Sequence, residues 1–222
     1  MAVEKIKALL FDLDGVLVDA MTLHEEAFLS AVRAYGGIEL TVEQHRGELA
    51  GLPTKAKLRR LVETGALDHR KCEKIAEAKQ ALTQTYIEQR LRPDRHRAAL
   101  LEHFQAAGFQ LGCVTNCIRR TTIEMLERAT LHKYFETCII TNEDVKAPKP
   151  DPEPYIRACQ VLGRMPHEVV AFEDHDRGLT SAFRAGCYTH AIPQFKDLTV
   201  ETVWTAIQEA NAQNRLEEKP DE

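Results

Sequence analysis

A doubly wound α/β fold, with a parallel sheet covered by helices on both faces, is the architecture this sequence predicts, and three observations carry the prediction. Short apolar runs recur at residues 6–13, 109–114, 138–141, 169–172 and 187–192. From residue 93 onward these runs alternate with stretches of helical periodicity, the pattern of strand and crossover units that builds a parallel sheet. Polar residues stand where the runs stop, at Asp12, at Thr115 and at the pair Glu173 and Asp174. In open parallel sheets ligands bind at that carboxyl edge.

The first run is closed by alternating aspartates, which suits a strand buried on both faces that delivers its carboxyl end to a site. Gly15 marks a turn. From residue 22 to 90 the strand signal vanishes, and apolar residues such as Ile75, Leu82 and Tyr86 recur three to four apart among polar ones, so the stretch reads as a helical insertion. The remaining elements are helices at 100–107, 121–129, 152–162, up to 185 and 200–210, set between the other four strands. The expected division is a core made of residues 1–18 and 92–222, with a small helical domain at 19–91 inserted after the first strand. Residues 215–222 are charged, lack an apolar anchor and are expected to be disordered.

With 222 residues and 44% hydrophobic content the chain can bury one full core and a small second one. A net charge of -5 argues against a nucleic acid partner, which calls for a basic face. Any anionic ligand is then held by a local cluster. Apolar runs fall short of the roughly 20 residues of a membrane span, and the start Met-Ala-Val-Glu-Lys lacks the basic-then-apolar order of a secretory signal. The expectation is a cytoplasmic protein without membrane attachment. Six cysteines, Cys72, Cys113, Cys117, Cys138, Cys159 and Cys187, lie scattered without zinc spacing and read as reduced and mostly buried.

Asp-Leu-Asp-Gly-Val at residues 12–16 puts two carboxylates at the end of a buried strand, where desolvation demands compensation by a cation or a function. Taken alone, Asp-Gly is equally a turn signal. Thr115 and Asn116 emerge from the second strand and offer a hydroxyl and an amide to phosphate oxygens, or else merely precede the next helix. Lys149 sits among Pro148, Pro150, Pro152 and Pro154, which stiffen the backbone around its ammonium; a solvated loop is the plainer alternative. Glu173 and Asp174 supply oxygen ligands suited to a hard cation such as magnesium, or an acidic loop capping a helix.

Asp-x-Asp-Gly-Val, then strand-Thr-Asn, then Lys-Pro-x-Pro, then Glu-Asp-x-x-x-Gly, in this order over nearly the whole chain, resembles the haloacid dehalogenase superfamily, in its branch with a helical cap after the first strand. The resemblance implies that Asp12 is the nucleophile, forming an aspartyl phosphate, and Asp14 the general acid and base. It implies Mg2+ held by Asp12, the Asp14 carbonyl and Asp174, with Glu173 in support, and phosphoryl oxygens bound by Thr115, Asn116 and Lys149. Phosphoryl transfer asks mainly for alignment and for cations around the equatorial oxygens, which such a set supplies.

Asp14 disfavours the dehalogenase and phosphonate-hydrolase branches of the resemblance. A phosphatase acting on a small phosphorylated metabolite ranks ahead of a sugar-phosphate mutase of the beta-phosphoglucomutase type. Those mutases carry Lys-Gly-x-x-Arg in the cap where this chain has Ala50, Gly51, Leu52, Pro53 and Thr54. A non-catalytic binder of phosphorylated metabolites ranks third, since it has no need of both aspartates. His24, Gly51, Lys55 and Arg119 are further candidates for touching substrate. The bland alternatives are a helical histidine, a turn and solvated basic faces, the last also covering Lys57, Arg59 and Arg60. A monomer is expected, with a dimer left open.

Overall fold

The computed structural model describes residues 5–49 and 51–217; the expectations that fell on Met1 to Glu4, on Ala50 and on residues 218–222 lie outside it. In chain order, β1 (Ala8–Phe11) is followed by α1 (Met21–Ala31), α2 (Val42–Arg46), α3 (Thr54–Glu63) and α4 (Cys72–Arg90). Then come α5 (Arg95–Ala106), β2 (Gln110–Val114), α6 (Arg119–Arg128), β3 (Ile139–Ile140), α7 (Glu153–Leu162), β4 (Val169–Glu173), α8 (Asp176–Arg184), β5 (Tyr188–Ala191) and α9 (Val200–Glu217). The chain divides into two compact units, one holding residues up to Asp19 and those from Pro93 onward, the other Ala20–Arg92. Among the described residues no helix is long and apolar enough to cross a membrane.

The first unit is the predicted α/β fold, a five-stranded sheet in the order β3-β2-β1-β4-β5 with every neighbouring pair parallel. Ala-Leu-Leu-Phe of β1 is buried at all four positions, because a central strand between two helical layers has no solvated face. Each large side chain so buried stabilises the fold by roughly 1.5–3 kcal/mol. The chain leaves β1 for β2 and β3 on one side and returns to β4 and β5 on the other. The carboxyl ends of β1 and β4 therefore flank the point where strand order reverses, the crevice such sheets use for ligands. Register aligns them: Phe11 pairs with both Cys113 and Phe172, and the Asp12 amide donates to Phe172 O at 3.0 Å.

Helix α9 runs to Glu217, which corrects the expectation of disorder for residues 215–217. Tertiary hydrogen bonds extend the helix. Asn211 Oδ1 accepts the amides of Lys5 and Ile6 at 2.9 and 3.2 Å, and Asn214 Nδ2 donates to His167 O at 3.2 Å. Those amides lie just before β1 and need acceptors that the sheet does not supply.

The second unit is helical around Phe28, Val32, Leu58, Leu61 and Ile75. Its α2 begins with a capping box, Thr41 Oγ1 accepting the Gln44 amide while Gln44 Oε1 accepts that of Thr41. Buried beside this core, Glu25 receives Arg46 through Nε and Nη2, both at 2.9 Å, and lies 3.2 Å from His45 Nδ1. Lys57 Nζ lies 2.7 Å from His45 Nε2 and 5.2 Å from the centre of the Phe28 ring. A carboxylate only accepts and an ammonium only donates, so His45 is neutral with its proton on Nδ1. Burial and Lys57 both lower its pKa, in keeping with that state.

Candidate active site

Asp12 follows the last residue of β1, and a tight turn then brings Asp14 back beside it. The Gly15 amide donates to Val18 O and the Val18 amide to Leu13 O, each at 2.8 Å. Gly15 takes φ 86°, a left-handed value that a side chain resists, which is why Gly follows the second aspartate. Asp12 is 8% exposed.

From β2, Thr115 is anchored by its amide to Ile140 O at 2.9 Å, and its Oγ1 accepts the Cys117 amide at 3.0 Å. Thr115 thus closes a turn of its own and is not the cap of α6, whose N-terminal flank is Ile118. Asn116 clamps the proline-rich loop: its Nδ2 donates to Lys149 O at 3.2 Å and its Oδ1 accepts the Lys149 amide at 3.0 Å. The Lys149-Pro150 bond is cis. So held, Lys149 is 5% exposed and donates to Asp12 Oδ1 and Val114 O, both at 2.6 Å, and to Glu173 Oε1 at 2.5 Å. The solvated-loop alternative for Lys149 is set aside by that burial.

Glu173 ends β4 and is 2% exposed. Gly178, in the first turns of α8, makes room for it: a Cβ there would fall 1.9 Å from Glu173 Oε2. That packing explains the Gly of Glu-Asp-x-x-x-Gly. The electrostatics are those of crowded acids. Burial, then Asp12, push Glu173 up to about 8 against the pull of Lys149. Burial, then Asp12 and Asp14, push Asp174 up to about 7. Burial and Asp14 also raise Asp12, although Lys149 opposes them. Lys149 in turn is raised, because Asp12 and Glu173 outweigh its own burial.

Asp12, Glu173 and Asp174 each offer a carboxylate oxygen, all within 4.8 Å of one another. An all-oxygen donor set whose members repel one another fits a hard divalent cation such as magnesium. Of the three, Glu173 is the most committed to the protein, since its Oε1 also accepts the Tyr155 hydroxyl. Asp14 and Asp174 are partly exposed, and Asp14 Oδ2 accepts the Cys117 thiol at 3.0 Å.

Asp12, Asp14, Thr115, Asn116, Lys149, Glu173 and Asp174 all lie on this edge of the α/β unit. Arg119 lies there too, but its guanidinium is tied to Asp144 Oδ2 at 2.6 Å and Ile139 O at 3.3 Å. His24, Gly51 and Lys55 belong to the helical unit. His24 Nδ1 lies 3.1 Å from Lys79 Nζ, Gly51 turns with φ 64°, and Lys55 is exposed on α3. Sequence reasoning missed Tyr155 and Cys117. Tyr155 comes three residues after the Lys-Pro-x-Pro stretch, in the first turn of α7, the only signal it gives; Cys117 reads in the sequence only as one of the reduced, mostly buried thiols.

A family model described as haloacid dehalogenase-like hydrolase matches residues 9–192. The chain is 32% identical over 185 residues to a phosphorylated carbohydrates phosphatase of Thermotoga maritima, covering 82% of each protein. It is 30% identical over 204 residues to a phosphoglycolate phosphatase of Nitrosospira multiformis, covering 85% of this chain and 83% of that one. Among solved structures, a variant of CbbY from Rhodobacter sphaeroides in complex with xylulose-(1,5)bisphosphate superposes with a TM-score of 0.74 at 25% identity. The match covers 83% of this chain and 84% of that one.

Proposed function

The chain belongs to the haloacid dehalogenase-like hydrolase family, and we propose that it is a magnesium-dependent phosphatase of a small phosphorylated metabolite, such as a sugar phosphate, working through an aspartyl phosphate on Asp12. The observation that carries this reading is the buried Lys149 ammonium 2.6 Å from Asp12 Oδ1, beside two further strand-end acids. The names of the relatives, which concern phosphorylated carbohydrates and phosphoglycolate, support the substrate class.

Asp12 attacks phosphorus, and the phosphoryl group moves from the substrate oxygen to the carboxylate. Lys149 orients that carboxylate and offers positive charge to the equatorial oxygens, where phosphoryl transfer needs it. Thr115 and Asn116 line the same edge and add neutral donors. Asp14 gives a proton to the leaving alkoxide, then takes one from the water that opens the aspartyl phosphate. Asp12, the Asp14 carbonyl, Asp174 and, in support, Glu173 would hold magnesium, which offsets the repulsion between phosphate and the acids. In this reading the helical unit corresponds to the family's cap, and His24, Gly51 and Lys55 are its candidate residues for substrate recognition.

The test is phosphate release from an aryl phosphate and a panel of sugar phosphates, with magnesium or chelator, for wild type and Asp12→Asn. Turnover that needs magnesium and falls at least roughly 10^3-fold in the variant is expected. Isomerisation of a sugar phosphate without phosphate release would show a mutase instead, and no turnover of either kind a binder.

A further inference from the structure

Tyr155 is wholly buried, and its hydroxyl donates to Glu173 Oε1, the same oxygen that accepts Lys149 Nζ. The ammonium lies 5.3 Å from the centre of the Tyr155 ring. Lys149 has three N–H donors, and they go to Asp12 Oδ1, Val114 O and Glu173 Oε1. A phosphoryl oxygen arriving at Asp12 has to take one of them. The bond to Asp12 aligns the nucleophile and the bond to Val114 is a main-chain anchor. The bond most easily given up is therefore the one to Glu173, provided that this buried carboxylate keeps another donor.

Resting on the phosphatase reading, we propose that Tyr155 is a positioning residue: its hydroxyl holds Glu173 in place while Lys149 turns from Glu173 to the transferring phosphoryl group. The packing suits this role. Gly178 packs against the whole Glu173 carboxylate, where an added Cβ would fall 1.9 Å from Oε2 and 2.3 Å from Oε1, so a carboxylate so confined and pinned by the hydroxyl at Oε1 does not follow the ammonium. Tyr155 itself is fixed by the core shared with Val114, Ala171 and Ala182. Without the hydroxyl, Glu173 competes with phosphate for Lys149.

Tyr155→Phe keeps the ring and removes the hydroxyl. Three quantities decide the matter: the affinity for inorganic phosphate by calorimetry, kcat and KM on an aryl phosphate, and the thermal unfolding midpoint. Phosphate affinity is expected to fall about tenfold, the scale of one charge-assisted hydrogen bond, and kcat/KM to fall with it, while the midpoint moves by only a few degrees. In a Glu173→Gln background, the same substitution is expected to change phosphate affinity by less than about twofold, because residues acting through one another are not additive. Wild-type affinity in Tyr155→Phe overturns the proposal. So does a full tenfold loss repeated in the Glu173→Gln background, or a Tyr155→Phe protein that fails to fold, which would mark the hydroxyl as purely structural. A wild type that neither binds phosphate nor hydrolyses any ester would instead sink the phosphatase reading itself.

Discussion

Glu25 in the helical unit and Glu173 in the α/β unit are both buried carboxylates with cationic neighbours, yet their surroundings push them in opposite directions. Burial alone would raise Glu25, but Arg46 and His45 together hold it below the usual range. Glu173 is pushed up to about 8, because Lys149 does not offset burial and the charge of Asp12. The two neighbourhoods differ in count. One acid meets Arg46 directly and Lys57 through His45, whereas Lys149 bonds both Asp12 and Glu173, with Asp14 and Asp174 close by. A balanced cluster stabilises its unit. A cluster with surplus acid is one that a cation would neutralise under the proposed function, in keeping with the tendency of perturbed titratable groups to mark functional sites.

Breaking the ion pairs of each cluster from one side should expose that difference most strongly. Lys149→Met leaves Asp12 and Glu173 buried without their counter-ion, and is expected to abolish turnover and to destabilise the α/β unit by about 3 kcal/mol, read by urea unfolding at pH 8. In the helical unit the corresponding break is Glu25→Gln. Arg46 is exposed and its ion pair is screened, so the expected loss is about 1 kcal/mol. A loss at Glu25 as large as that at Lys149 would contradict the contrast between the clusters.

The pH dependence should have opposite slopes. Glu25, lowered in the fold, contributes stability that is fully present above its unfolded value near 4.5 and is lost as pH falls through the folded one. Glu173 and Asp174, raised to about 8 and about 7, bind protons more tightly folded than unfolded. Metal-free protein should therefore lose α/β stability as pH rises from about 4.5 toward 8, the reverse of an ordinary ion-paired acid. Urea unfolding across this window, followed by Trp204 fluorescence in the α/β unit, checks the sign. A flat profile would mean that Lys149 balances the acids after all.

The smallest expected effect lies outside both clusters. Thr130, just past α6, takes φ 62°, a left-handed conformation that a β-branched residue adopts only under strain. Thr130→Gly is expected to stabilise the α/β unit by about 0.5–1 kcal/mol, net of glycine's greater unfolded-state entropy, without altering turnover. An unchanged or lower unfolding midpoint would show that the Thr130 Oγ1 bond to Ala129 O outweighs the strain.

The strands and the ends that carry Asp12, Thr115 and Glu173 were legible because a doubly buried strand has to be apolar and its polar stop is therefore conspicuous. Helix α9 extends past the residue 210 expected from periodicity, because the charged tail shows no apolar anchor in sequence while Asn211 and Asn214 find partners in Lys5, Ile6 and His167 only in the fold. Arg119 looked available for substrate, and only the fold brings Asp144 to it. Tyr155 gave no signal beyond its place after Lys-Pro-x-Pro, because a buried tyrosine in a helix is ordinary until the acceptor of its hydroxyl is known.

By itself the sequence determined the alternation of strands and helices, the helical insertion and the family, all of which depend on local periodicity and on residues within a few positions of one another. The tertiary structure alone decided which donor each acid receives. Lys149 is 137 residues from Asp12 and 24 from Glu173, and that three-way contact exists only because β1, β2 and β4 pair in one register and end at one level. Hydrogen bonds and Coulomb forces act over a few ångströms, so the charge balance of a site belongs to the fold and not to the order of residues along the chain.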